Sequence, residues 1–101
     1  MKTIWRYELV PNRVQAIPIP FGGQLLSVQT KEANTPLLWV LVDPDMPLRD
    51  RHIGIYTTNT AVPDDPGKYI GTFLIYDGTL EFHLFEMETP DAGVESLPEE
   101  N

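Results

Sequence analysis

Apolar and polar positions along this chain alternate in short runs. No segment keeps the repeat of roughly 3.6 residues that marks an amphipathic helix. From Thr3 to Val10, Trp5, Tyr7 and Leu9 alternate with Arg6 and Glu8, the two-residue period of a half-buried strand. Val14 to Ile19 is a second extended run whose Pro18, with Pro20 just beyond it, suits an edge strand or a loop-like extension, because proline has no amide to donate. After the Phe21-Gly22-Gly23 turn, Gln24 to Thr30 alternates again, with Leu26 and Val28 against Ser27 and Gln29. Leu37 to Val42 is apolar at every position, which predicts a central strand covered on both faces, with Trp39 as its anchor. The run stops at Asp43-Pro44-Asp45-Met46-Pro47, where the carboxylates are expected to satisfy loop amides as the chain leaves the core. Arg51 to Thr58 is the next strand, followed by a loop rich in Pro and Asp.

The clearest local signal is the last hairpin, Lys68 to Tyr76 and Thr79 to Met87 about Asp77-Gly78. Asp-Gly favours a type I′ turn because both positions tolerate positive φ. That register places Phe73 opposite Phe82, with Phe73, Ile75, Leu80, Phe82 and Leu84 on a core face. Ile70, Thr72, Leu74, Glu81, His83 and Phe85 fall on the other face. The whole pattern predicts an all-β fold, a small antiparallel sandwich or partly open barrel of about six to seven short strands.

Composition bounds the function. A chain of 101 residues is one domain. Cysteine is absent, which removes disulfides, a thiol nucleophile and thiolate metal sites. No apolar run approaches the roughly 18 residues that span a bilayer as a helix. Arg6 and Glu8 break the apolar N-terminus and no small-residue cleavage site follows, so the expected location is the cytosol. The formal net charge of −8 is uneven: six acids and no Lys or Arg lie from Glu86 onward, while the preceding residues hold nine acids against seven bases. This divides the chain into a β domain over residues 1–87 and an acidic disordered tail over residues 88–101. Nothing interleaves basic and aromatic residues as single-strand nucleic-acid binders do, so no direct nucleic-acid partner and no membrane partner is expected.

Candidate chemistry is sparse. Glu81 and His83 share a strand face, but the plainer reading is a surface imidazole beside a carboxylate. Ser27 has no local His, and no Gly-rich phosphate loop is present. No catalytic residue, cofactor or metal site is expected, and the chain is read as a non-enzyme. Two groups remain. Arg49, Arg51, Tyr56, Thr58 and Asn59 combine guanidinium, aromatic, hydroxyl and amide groups suited to a small anionic or nucleotide ligand. Ile70, Leu74, Glu81, His83 and Phe85 form a mixed face suited to an interface, including that of a homo-oligomer.

Several segments in order carry a resemblance: Tyr7-Glu8-Leu9, Leu26-Ser27-Val28-Gln29, Leu38-Trp39-Val40-Leu41-Val42-Asp43-Pro44, Tyr69-Ile70-Gly71-Thr72-Phe73 and Phe82-His83-Leu84-Phe85-Glu86. Over residues 1 to about 86 the chain resembles a family of small uncharacterised proteins carried mainly by phages and prophages. Where that family often has Gly-Thr-Gly-His, this chain has Thr57-Thr58-Asn59-Thr60, so no role for a histidine carries over. No activity transfers either. The resemblance implies a phage accessory protein that binds a host protein and inhibits a host function such as antiviral defence; the alternative is a sponge for a small nucleotide-derived signal.

Overall fold

A computed structural model describes residues 1–31 and 34–87. The expected acidic tail lies outside the described residues. Seven strands follow in order: β1 (Thr3–Glu8), β2 (Val14–Pro20), β3 (Gln24–Thr30), β4 (Pro36–Val42), β5 (Leu48–Thr57), β6 (Lys68–Ile75) and β7 (Leu80–Glu86). They form two antiparallel sheets, β1-β4-β3 and β2-β5-β7-β6, so the architecture is an all-β sandwich. Among the described residues no helix is long and apolar enough to cross a membrane.

The core lies between the sheets. Leu38, Val40 and Val42 point inward from β4 with no exposed surface, meeting Ile19, Ile53, Ile55 and Leu84 from the other sheet. Burying one such side chain is worth about 1.5–3 kcal/mol. Phe73 and Phe82, paired across the β6–β7 ladder, stack with centroids 5.4 Å apart. β4 is central in its sheet, as expected, but only one of its faces is fully enclosed. Leu37 is buried on the outer side, whereas Trp39 and Leu41 are half-buried there and face no further layer of described residues. Trp39 is therefore an outer-face residue, and the anchors are Leu38, Val40 and Val42.

Connections follow the turn chemistry. Asp43 Oδ1 accepts the Asp45 amide at 3.0 Å and its carbonyl accepts the Met46 amide at 3.1 Å, closing the exit from β4. β2 is an edge strand and tolerates its prolines on that account. The last hairpin turns through Asp77 and Gly78, with φ of 55° and 86°, and the Thr79 amide reaches the Tyr76 carbonyl at 3.0 Å.

Two bulges change which side chains face outward. One lies between Leu25 and Ser27; Leu25 then packs on the core and Leu26 turns to solvent. The other lies between Tyr69 and Gly71. Ile70, expected on the outer face, packs against the core instead, and Tyr69 takes the outward place opposite Phe85. The extra residue of a bulge reverses the alternation beyond it.

Candidate functional site

The outer face of the four-stranded sheet brings together aromatic, hydroxyl, imidazole and carboxylate side chains. Its layout follows from register. His83 on β7 lies between Tyr56 on β5 and Thr72 on β6; Phe85 lies between Gly54 and Tyr69; Glu81 lies opposite Leu74. Gly54 matters because Tyr56 folds back across it. A Cβ there would stand 2.6 Å from the Tyr56 hydroxyl and 2.9 Å from its ring. The three aromatic rings then meet at angles, Tyr56 with Phe85 at 6.2 Å and Tyr69 with Phe85 at 5.6 Å.

Beside the rings runs a chain of hydrogen bonds. The Thr58 hydroxyl donates to Glu81 Oε1 at 3.0 Å, and its oxygen lies 2.7 Å from His83 Nε2. His83 Nδ1 lies 3.0 Å from the Thr72 hydroxyl, which lies 2.6 Å from the Tyr69 hydroxyl. One arrangement satisfies every link with a neutral ring. Tyr69 donates to Thr72, Thr72 donates to Nδ1, Nε2–H donates to Thr58, and Thr58 donates to the carboxylate. The tautomer is assigned from these partners. Both imidazole nitrogens are thus occupied, and the Thr58 proton points at Glu81 rather than at the imidazole. This orients His83 as a fixed hydrogen-bonding group.

Rings and polar chain border a cleft of about 310 Å³ that is open to solvent. Tyr56, Tyr69, His83 and Phe85 line it from the sheet, while Thr58, Asn59, Thr60 and Val62 close it from the loop after β5. The loop is held by the Thr60 hydroxyl on the Thr57 carbonyl at 2.7 Å, and Asn59 adopts φ 71°, which its short polar side chain tolerates. A second depression of about 360 Å³ lies on the opposite sheet among Arg6, Glu8, Lys31, Thr35 and Leu37. It has one apolar wall and no aromatic ring, so less there could fix a ligand's pose.

The two sequence-derived groups are redistributed. Tyr56, Thr58 and Asn59 come together with Glu81, His83 and Phe85, and Leu74 lies on the same face. Arg49 and Arg51 do not join them. They share the strand parity of Ile53 and Ile55, so they lie on the inner side at the far end of β5, paired with Ile19 and Ile17 respectively. Arg51 makes a two-pronged ion pair with Glu86, Nη2 to Oε1 at 3.0 Å and Nε to Oε2, and Nη1 donates to the Gly23 carbonyl at 2.8 Å. It ties β5, β7 and the β2–β3 turn together. Arg49 stands over the Phe21 ring at 5.1 Å. Sequence reasoning missed Tyr69, Thr72 as part of the polar chain, and Val62. The signal for Tyr69 was Gly71, a glycine inside a strand run, which marks bulges.

These features define a small antiparallel sandwich with an aromatic-walled cleft on the outer face of its larger sheet. By comparison of sequence, the chain belongs to a family described as a domain of unknown function (DUF7352), matched over residues 1–94. No curated protein and no solved structure matches it.

Proposed function

We propose that this protein acts by binding rather than by turnover, and that the outer face of its four-stranded sheet is the recognition surface. The observation that carries the reading is the cleft, where three aromatic rings adjoin oriented polar groups on a rigid ladder. Aromatic side chains with a polar handle dominate binding energy where they are desolvated by a partner. The hydrogen-bond chain favours binding over catalysis, because the hydroxyl nearest the imidazole is already committed to a carboxylate. The resemblance to phage-borne proteins supplies the setting: an accessory protein in the host cytosol that occupies a host protein, such as part of an antiviral defence complex, and inhibits it. The sponge alternative drew its support from Arg49 and Arg51, which stand away from the cleft and are engaged elsewhere.

The test is site-specific photocrosslinking in bacterial lysate. A benzophenone amino acid at Tyr69 is expected to capture one host protein, and the same group at Ile4 on the opposite sheet is expected not to. Capture from Ile4 alone would move the recognition surface to the other face.

A further inference from the structure

We infer that the cleft receives an aromatic side chain of the partner, one that carries a polar tip and is flanked by basic residues. This rests on the reading of the outer face as the recognition surface and adds the chemistry of what it recognises. The walls select a ring. Tyr56, Phe85 and Tyr69 pack on one another at interplanar angles of 57° and 64°, so the wall they form offers both ring faces and ring edges against which a further ring can pack. The volume, about 310 Å³, sits at the small end of ligand pockets, roughly 300–1,000 Å³, so one ring system fills it.

The rim selects a polar tip. Asn59 lines the cleft with an exposed side-chain amide. A purely aliphatic or phenyl group would desolvate that amide without replacing its water. A phenol or indole gives it an acceptor or a donor.

The surrounding charge selects basic flanks and disfavours a nucleotide. From Thr57 to Phe85 the chain carries Asp64, Asp65, Asp77 and Glu81 against one base, Lys68. Asp64 and Asp65 lie in the loop that supplies Val62. Asp77 precedes Gly78, which adjoins Thr58 and Asn59 at the neighbouring depression. A phosphate at this rim would meet Glu81, which is bonded to Thr58 beside the cleft, while Arg49 and Arg51 are engaged at the far end of β5. The cleft is also open along one side, whereas a drug-sized ligand is usually mostly enclosed. An open slot is what a side chain entering from a protein surface requires.

The experiment titrates the isotope-labelled full chain with capped single residues and follows its amide resonances. N-acetyl-tryptophanamide and N-acetyl-tyrosinamide are expected to shift Asn59, Val62, Tyr69, His83 and Phe85 saturably in the millimolar range, with N-acetyl-leucinamide far weaker. A capped Arg-Trp-Arg peptide should bind about threefold tighter at low salt and lose that gain at high salt. N-acetyl-phenylalaninamide should bind more weakly than the tyrosine probe, and Asn59→Gly, which keeps the left-handed turn, should remove that difference. Absence of shifts up to the solubility limit overturns the inference. So does tighter binding of adenosine than of either aromatic amide, which would make this a nucleobase site. Crosslinking of a host protein from Tyr69, together with failure of every aromatic probe, would remove the aromatic anchor and leave the recognition surface standing.

Discussion

Replacing Arg51 with methionine separates its structural role from a ligand-binding one. Methionine keeps the apolar stem against the end of the core and removes the guanidinium. Three hydrogen bonds go with it: two to the Glu86 carboxylate and one to the Gly23 carbonyl. Charged hydrogen bonds are worth about 1.5–3 kcal/mol when well buried. Here the side chains are 23% and 19% exposed, so water screens the pair and re-solvates Glu86 after the loss. A total near 2 kcal/mol is the reasonable figure, since bonds within one group do not add. For a domain of this length that lowers the melting temperature by about 8–16 °C. Thermal unfolding followed by far-UV circular dichroism reads it directly. A double-mutant cycle with Glu86→Gln should return a coupling of about 1 kcal/mol. Arg49→Met, which loses only an exposed contact with Phe21, should change stability by less than about 1 kcal/mol. A melting temperature for Arg51→Met within about 2 °C of wild type would refute the clamp.

Burial raises the Tyr7 hydroxyl above its ordinary pKa, and that buried oxygen has no hydrogen-bond partner among the described residues. The stability this implies is present below the unfolded tyrosine value, about pH 10, and is lost as pH rises through the higher folded value. Tyr7→Phe should therefore be neutral or stabilising by up to about 1 kcal/mol and should flatten the alkaline limb of a melting-temperature profile; clear destabilisation at neutral pH would show that the hydroxyl is satisfied. Gly54→Ala puts a methyl where the Tyr56 ring lies, and displacing that ring should cost about 1–3 kcal/mol and disturb the Phe85 and His83 resonances. Unchanged resonances would mean that Tyr56 does not rest on Gly54. If the protein self-associates through β6, Leu74→Glu, which places like charge opposite Glu81, should shift it towards monomer in sedimentation. A wild type that is monomeric at high concentration would remove that proposal.

Strand positions were legible because turn residues and two-residue alternation agree along most of the chain. β4 was located by its apolar run, yet such a run has no alternation from which to tell inside from outside. Only the ladder with β1 and β3 shows that Leu38, Val40 and Val42 face the core while Trp39 and Leu41 do not. The β5 residues illustrate a different loss. Arg49, Arg51, Tyr56 and Thr58 are close in sequence, but odd and even positions of a strand face opposite ways, and Ile53 and Ile55 already identify the odd face as inward. Parity could have parted the arginines from Tyr56. Partners such as Glu86 and Gly23 could not have been read, because they meet Arg51 only through sheet pairing and the turn that joins the two sheets. On the last hairpin, register from the Asp-Gly turn holds through the pairs Phe73–Phe82 and Leu74–Glu81. It is broken at Ile70 by the bulge, which turned one expected interface residue against the core and brought Tyr69 to the cleft. Val62 lies in a loop without periodicity, and no local pattern points to it.

The most direct measurement compares two charge insertions on opposite faces. Tyr69 is 54% exposed on the outer face of the four-stranded sheet, and Ile4 is 55% exposed on the outer face of the other sheet. Both substitutions to glutamate should leave the fold intact, since neither side chain is part of the buried core. On the proposed reading, wild type is expected to retain a host protein from lysate, Tyr69→Glu to abolish that capture, and Ile4→Glu to keep it. Loss of the partner with Ile4→Glu and its retention with Tyr69→Glu would contradict the assignment of the aromatic cleft as the binding surface.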